Sequence, residues 1–420
     1  MTAATDAGAY GPAVGDYRAP RTARPLRVVY VWDADYPWDV RTEKICATLT
    51  SAGHEVHIVA RNRARRARTE ALPEGVVHRM APWRAAGAGL DAALGFPAFF
   101  SPRWRGLIEE TLRVVRPHVV IGRDLPLAPA VIRAARRHGA PVLLDMAENY
   151  PAMMRMIFDA RRQRVSDYVV RNPAAVAAVE RWCLPRLDGV LVVVEEMAAR
   201  LEALGVPSGR IAVVSNTPPA TRADDPPPPP RASGAPLSLV YLGLLEVPRG
   251  IMEMVEAAAV LRTRGIAACM TIIGAGRDAP LFRARAAALG LDADRLRFLG
   301  YVPRDRALEL VRGADIGLLP HHANEMWNTT IPNKLFDYMA AGLPVITSSA
   351  RPSARIVQDT GAGLVYPSGD AAALADAIAR LAPAEERVRI GSRGRNAVRA
   401  RYHWEHDAEV LLRTVDAAAR

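Results

Sequence analysis

The sequence predicts an α/β protein of two domains, each built on a parallel sheet covered by helices on both faces. Three observations predict it. The chain has 420 residues, half of them hydrophobic, which is too long for one core and too apolar for global disorder. Short continuous apolar runs alternate with longer amphipathic stretches, the pattern of strands buried on both sides. A Pro-rich polar stretch, "TPPATRADDPPPPPRASGAP" (217–236), parts the chain into two halves of similar length. Such composition gives an extended, semi-rigid linker.

The elements follow in order. Residues 1–25, opening "MTAATDAGAYGPAVGDYRAP", carry no apolar leader core and read as a disordered tail. The first domain, 26–218, starts with the strand "LRVVYVW" (26–32), a helix from Val40 to Ala52 and the strand "HEVHIVA" (54–60). Further strands fit "PHVVIG" (117–122), "APVLLDM" (140–146), "GVLVVV" (189–194) and "IAVVSN" (211–216). A linker covers 219–236. The second domain, 237–402, places strands at "LSLVYLG" (237–243), "ACMTIIG" (268–274), "LRFLG" (296–300), "DIGLLP" (315–320) and "LPVITS" (343–348). In residues 403–420, Trp404, Val410, Leu411 and Val415 share one face of a final helix, expected to pack back toward the first domain. The two sheets are Rossmann-like and are expected to face each other across a cleft, with ligands beyond the carboxyl ends of the strands.

Composition narrows the function. The net charge is +11 and the pI about 10, a balance that suits nucleic acid, an anionic membrane surface or an anionic small substrate. The densest basic run, "RNRARRAR" (61–68), reads as a solvated loop ahead of a binding patch. No recognition helix, zinc motif or RNA-binding signature accompanies the charge, so nucleic acid is not the expected partner. The most apolar long run, "AAGAGLDAALGFPAFFSP" (85–102), is broken by Asp91, Gly and Pro and does not span a membrane. Three scattered cysteines, Cys46, Cys183 and Cys269, show no metal spacing and no even pairing. These features fit a cytoplasmic protein, with peripheral attachment to the inner face of the cytoplasmic membrane as an option.

Only two of the 55 basic residues are lysines, Lys44 and Lys334. Lys334 stands in "NTTIPNKLFDYMAAGLPVI" (328–346), where a helix is expected with Pro332 near its first position and Thr330 as N-cap. A cation in a first helical turn opposes the helix dipole, and an anionic ligand at the free N–H groups of 333–335 would explain it. Asp337 lies one turn on and reaches the same ligand. A carboxylate suits paired sugar hydroxyls, while amides and an ammonium suit phosphates. The plain alternative is a Lys334–Asp337 pair with no ligand.

The segment "PNKLFDYMAAGLPVITS" (332–348) resembles the donor site of the retaining GT-B glycosyltransferases, glycosyltransferase family 4 (group 1). The resemblance runs from about residue 26 to 416. It includes "YLGLLEVPRG" (241–250), "IIGAGRDAPLFRARAAALGL" (272–291), "LRFLGYVP" (296–303) and "ERWCLPRLDGVLVVVEEMAARLEALGVPSGRIAVVSNTP" (180–218). It implies a GT-B fold, with an acceptor domain first and a nucleotide-sugar domain second. The expected donor-binding residues are Gly243, Arg249, Gly274, Gly276, Val302, Thr330, Asn333, Lys334, Leu335 and Asp337.

The pattern departs from the family in three places. In the family's Glu-x7-Glu motif, the second acid falls on Asp337 and the first on Thr329, which is not acidic. Of two diphosphate cations in the loop after the first strand of the second domain, one falls on Arg249 and the other on Leu244. Lys334 is expected to replace the missing charge. A family His falls on Ala147, leaving Glu148 and Asp124 as catalytic candidates on the acceptor side, with Asp145 as a further acid there. Asp145 and Glu148 also fit capping of the following segment.

The implied reaction moves a sugar from a nucleotide-diphosphate donor with retention, and needs no cofactor and no metal. The adjacent His321 and His322 have poor chelating geometry and fit contact with the donor sugar better. Phe96, Phe99, Phe100 and Trp104 beside Arg103 and Arg105 fit either an aromatic cluster under a loop or docking on an anionic membrane. In the second case the acceptor is lipid-linked, as in cell-surface polysaccharide assembly. In the first, a soluble small molecule fits better. The rival readings are a catalytically degenerate GT-B protein, a nucleic-acid-binding protein, and an NAD-dependent dehydrogenase. The last rests on "GAGRDA" (274–279), which imitates a dinucleotide fingerprint on the second strand of its half rather than the first.

Overall fold

A computed structural model of the chain describes residues 19–22, 24–37, 39–81, 99, 101–159, 172–225 and 235–420. Two compact units emerge, Met1–Asn216 with Glu405–Arg420, and Thr217–Trp404. Most of the expected tail (1–18, 23) and the proline run of the linker (226–234) lie outside the described residues.

The first unit runs β1 (Arg27–Asp35), α1 (Val40–Ser51), β2 (Glu55–Arg61), β3 (Thr69–Leu72), β4 (Gly75–Arg79), α2 (Pro102–Val115) and β5 (Val119–Arg123). It continues through α3 (Ala128–Arg137), β6 (Val142–Met146), α4 (Tyr150–Asp159), α5 (Pro173–Cys183), β7 (Gly189–Val192), α6 (Glu195–Ala203) and β8 (Ile211–Val213). The sheet order is β3-β4-β2-β1-β5-β6-β7-β8. Val28 to Val31 of β1 are wholly buried, as a continuous apolar run at the centre of a two-sided sheet must be. Every pairing is parallel except β3 with β4. That hairpin departs from the all-parallel expectation. Its strands are four and five residues long, and β3 buries no residue, so neither leaves an apolar run in the sequence.

The arginine-rich run 61–68 is folded rather than simply solvated. Arg61 is buried against Asp33, Asp35 accepts from the N–H groups of Arg63 and Ala64, and Asn62 brackets Arg66.

The first unit is pinned from within by a buried ion pair. Arg41 of α1 donates from Nε to both carboxylate oxygens of Asp145 on β6, at 2.9 and 3.0 Å, and from Nη2 to Oδ1 at 2.6 Å. Tyr30 of β1 donates to Asp145 Oδ2 at 2.8 Å, and Arg41 Nη1 donates to the Val214 carbonyl at 2.9 Å. The network therefore ties α1, β1, β6 and the segment after β8. Asp145 is spent on this structural pair and is not the acceptor-side acid it resembled. Nor does it cap α4: the Asn149 carboxamide accepts from the Ala152 N–H at 3.2 Å.

The second unit runs β9 (Leu237–Leu242), α7 (Ile251–Thr263), β10 (Ala268–Ile273), α8 (Ala279–Ala288), β11 (Leu296–Gly300), α9 (Arg304–Arg312) and β12 (Ile316–Leu319). Then come α10 (Lys334–Ala340), β13 (Val345–Ser348), α11 (Arg351–Thr360), β14 (Gly363–Tyr366), α12 (Ala371–Arg380) and α13 (Ala384–Ala400). Its sheet is parallel throughout, in the order β11-β10-β9-β12-β13-β14. The order in which strands are added reverses between β9 and β12, so the loops leaving those strands part and leave a crevice at their carboxyl ends. Strand β14 escaped the sequence reading because only Tyr366 of its four residues is fully buried. The last helix, α14 (Trp404–Ala418), buries Leu411 and Val415 completely, as its expected face requires, and Val410 only in part.

One close approach sets the geometry of the second unit. A Cβ on Gly317 of β12 would fall 2.4 Å from a ring carbon of Tyr338 on α10. The Tyr338 ring lies against that bare backbone, and its hydroxyl accepts from the Leu242 N–H at the end of β9, 3.0 Å away.

Two substitutions test these anchors. Asp145→Asn should strip the charge from a buried partner and destabilise the first unit by about 3 kcal/mol or more, read as a lower urea midpoint. Gly317→Ala should drive a methyl into the Tyr338 ring and destabilise the second unit by about 1–3 kcal/mol, read the same way.

Candidate functional site

The loop after β9 and the loop after β12 meet at the switch point of the second unit. A Cβ on Gly250 would fall 1.8 Å from the Pro320 carbonyl oxygen, and one on Gly274 equally close to the Gly243 carbonyl oxygen. Only glycine allows these backbones to touch. A side chain at Gly276 would likewise strike Leu245. Gly274 and Gly276 therefore hold one loop against another. That use of "GAGRDA" differs from a dinucleotide cradle, and the motif follows β10, the second strand of this unit. Val302 follows β11 at the sheet edge, joined to this region through the Gly274 N–H, which donates to the Gly300 carbonyl at 2.8 Å.

Lys334 opens α10, and its ammonium lies 5.2 Å from the centre of the Tyr241 ring. It rests against Gly243, where a Cβ would be 2.2 Å from Nζ. Arg249, from the loop after β9, lies over the Trp327 ring at 5.1 Å. Burial first, and then the Arg249 charge, push the Lys334 ammonium down to about 7, with Asp337 pulling the other way. Two cations thus share one side of the crevice. Glu246 is the nearest acid to Arg249, at 3.9 Å, too far for a hydrogen bond.

The motif helix differs from its expected form. It begins at Lys334 and has seven residues. The Pro332 and Asn333 carbonyls accept from the N–H groups of Leu335 and Phe336 at 3.0 and 3.1 Å. These tight i→i+3 bonds use the Leu335 N–H that was expected to face a ligand. Thr330 is a buried loop residue three positions before the cap, Asn333. Leu335 packs fully into the core. Thr329 turns its hydroxyl back to the Glu325 and Met326 carbonyls.

Sequence reading missed the aromatic frame of this site. The His321 ring packs edge-on against Trp327, with centroids 4.2 Å apart, and lies 6.5 Å from Tyr241. Both His321 ring nitrogens, Trp327 Nε1 and Arg249 Nε are buried with no hydrogen-bond partner among the described residues. The same holds for one Glu253 oxygen and the Tyr366 hydroxyl, also beyond the carboxyl edge of this sheet or within it. Buried polar atoms are almost always paired, so this concentration marks a place built for a ligand. Burial first, then Lys334, Arg249 and His322, hold the His321 imidazolium well below its ordinary range, so the ring is neutral. His322 points elsewhere and pairs with Glu253 at 2.7 Å; that hydrogen bond raises the His322 pKa. The two histidines do not converge on one point.

In the first unit, Asp124 follows β5 and Glu148 follows β6, on adjacent strand ends. Asp124 has a φ of +56°, a conformation that costs a non-glycine residue about 1 kcal/mol or more and recurs at functional positions. Its Oδ1 accepts from the Ala147 N–H at 3.2 Å. Burial pushes its carboxyl up to about 6, with Arg123 opposing and Asp145 assisting. Arg123 stacks over Trp32 at 4.8 Å and pairs with Asp39.

The expected aromatic surface is not a surface at Trp104, which is completely buried with Arg61 over its ring at 5.6 Å. Phe99 meets Tyr150 edge-on at 6.4 Å, while Phe96 and Phe100 lie outside the described residues. Among the described residues no helix is long and apolar enough to cross a membrane.

Comparison with known proteins agrees with this architecture. Residues 39–217 match the "Glycosyl transferase 4-like domain" family and residues 236–383 the "Glycosyl transferases group 1" family. A phosphatidyl-myo-inositol mannosyltransferase of Mycobacterium leprae is 30% identical over 240 residues, covering 54% of this chain and 59% of that protein. The chain spans about half the length of the curated relatives it matches. Among solved structures, a sucrose-phosphate synthase from Thermosynechococcus elongatus superposes with a TM-score of 0.74 at 17% identity, covering 94% of this chain and 100% of that one. Anabaena HepE in complex with UDP gives 0.67 at 11% identity, covering 93% and 100%. Fold and domain matches together give the chain a GT-B fold whose two parts each resemble a glycosyltransferase domain family.

Proposed function

We propose that the chain transfers a sugar, with retention, from a nucleoside-diphosphate donor to an acceptor hydroxyl, as a member of glycosyltransferase family 4. The observation that carries this reading is the confrontation of Lys334 and Arg249 at the switch point of the second unit. Two cations that share a half-buried crevice repel, and a diphosphate would relieve them both. Asp337, one turn beyond Lys334, supplies the carboxylate for the ribose hydroxyls. The UDP held by the HepE structure supports a nucleoside diphosphate as the ligand class.

In this reaction the C1–O bond to the β-phosphate breaks, and negative charge grows on the leaving diphosphate. Lys334 and Arg249 stabilise it, which lowers the barrier because they are held in place before charge develops. The acceptor hydroxyl gives up its proton to the departing phosphate oxygen, so no side chain need act as a strong base. Asp124 and Glu148 serve the acceptor by orienting it. The Mycobacterium leprae relative is named a phosphatidyl-myo-inositol mannosyltransferase, which supports a lipid-carried acceptor for this chain, as in cell-surface polysaccharide assembly.

A thermal-shift screen against UDP, GDP, dTDP, NAD and duplex DNA tests the reading, since a binder stabilises in proportion to the logarithm of its concentration over Kd. One nucleoside diphosphate should raise Tm; a shift with NAD or DNA alone would refute the proposal. Arg249→Ala and Lys334→Met should each weaken that diphosphate about tenfold or more. Its affinity in the unsubstituted protein should fall as pH rises above about 7, where the free Lys334 amine loses its proton. Isothermal titration should show the fall, and Lys334→Arg, always charged, should abolish it.

Lys334 should also weaken the unliganded fold. Its folded pKa lies below its ordinary value of 10.5, so the unfolded chain binds more protons between about 7 and 10.5, and stability rises with pH across that window. The destabilisation is complete below 7. Lys334→Met should therefore raise the stability of the unliganded protein at pH 6 by on the order of 1 kcal/mol, with partial exposure of the ammonium limiting the gain. The gain should shrink by pH 9 in urea unfolding.

A further inference from the structure

We propose that His321, framed by Trp327 and Tyr241, reads the sugar of the donor through its hydroxyl groups and sets donor specificity, an assignment that rests on the glycosyltransferase reading above. His321 is 2% exposed, and neither ring nitrogen has a hydrogen-bond partner among the described residues. Its backbone is fixed, because the Ser348 hydroxyl donates to the His321 carbonyl oxygen. Its ring is fixed by the edge-on contact with Trp327. The side chain is thus aimed and rigid, yet its two polar atoms are unused.

Chemistry narrows what would use them. A neutral imidazole has one N–H donor and one bare nitrogen acceptor. A phosphate offers only acceptor oxygens beside Lys334 and Arg249, so it would satisfy the N–H and leave the bare nitrogen orphaned. A sugar hydroxyl both gives and accepts, so it can pair with whichever nitrogen faces the ligand, the bare one included. The Trp327 indole N–H, equally buried and unpartnered, adds a donor for a sugar oxygen. The aromatic faces suit the C–H face of a sugar ring. Thr329, at the position where the family carries an acid, brings no charge, and its hydroxyl is turned back into the preceding turn. Neutral recognition by His321 and Trp327 takes the place of a carboxylate.

The test separates the sugar from the diphosphate. Affinities would be measured by isothermal titration for UDP against UDP-glucose and for GDP against GDP-mannose, in the full chain and in His321→Leu, His321→Asn and Trp327→Phe. The expected result is a gain from the sugar in one pair, reduced about tenfold in His321→Leu while the diphosphate alone binds unchanged. His321→Asn, which keeps one donor and one acceptor, should recover part of it. Trp327→Phe should lose part of it. The Tm of unliganded His321→Leu should hold or rise, because an orphaned buried polar group has been removed. A side chain that merely supports the fold would instead lower Tm and weaken both ligands together. An unchanged sugar increment in His321→Leu, or no increment in the unsubstituted protein, overturns this assignment and leaves the diphosphate site standing. Failure of every diphosphate to bind overturns the glycosyltransferase reading, and this assignment with it.

Discussion

The second unit is organised around a tyrosine that crosses a strand where there is no side chain to cross. Tyr338 leaves α10, lies on the bare backbone of Gly317, and ends on the Leu242 N–H at the carboxyl end of β9. That contact fixes α10 over the point where the sheet changes direction. Lys334 stands four residues earlier on the same helix and therefore on the same face. Its ammonium is delivered to Tyr241 and Gly243, one strand over. The position of the charge is thus a consequence of a tyrosine, a glycine and helical periodicity, and depends little on the loop that precedes the helix.

What is delivered there is uncomfortable for the empty protein. Lys334 feels the Arg249 charge, and His321 is kept neutral by burial first and then by the same two charges. Around them sit polar atoms with no partner. Each of these features would be removed by selection for stability alone, and they converge on one crevice. Functional sites are where such local conflicts accumulate, because a ligand resolves them. The first unit shows the opposite use of charge. Arg41 and Asp145 are buried more deeply than Lys334, but they satisfy each other almost completely. Burial of charge is therefore no guide to function until the partners have been counted.

That distinction explains what was legible in the sequence. The alternation of apolar runs with amphipathic stretches announced two α/β domains, because buried parallel strands need continuous apolar residues. Lys334 and Asp337 could be placed on one helical face from their spacing. Asp145, by contrast, looked like a free acid at a strand end, since its partner stands 104 positions away. The start of α10 was placed too early because Pro332 is a good first helical residue, while the chain uses the Pro332 and Asn333 carbonyls in tighter turns. Trp327, Tyr241 and His321 were hard to assemble because no sequence period links the end of β9 to the loop after β12. The strands that went unseen, β3, β4 and β14, are short and only partly buried.

The scarcity of lysine gives the site its last physical feature. With 55 basic residues and only Lys44 and Lys334 as lysines, an arginine at 334 would have been the ordinary outcome. A guanidinium stays charged at any accessible pH and would face Arg249 permanently. An ammonium pushed down to about 7 can release its proton in the empty site and so escape the repulsion. An arriving anion restores that proton and meets two charges. Lysine thus allows strong attraction in the bound state without equal repulsion in the free state. That relief favours the unliganded protein and is repaid as proton uptake on binding, so anion affinity is tied to pH only because a group that titrates within the working range stands there.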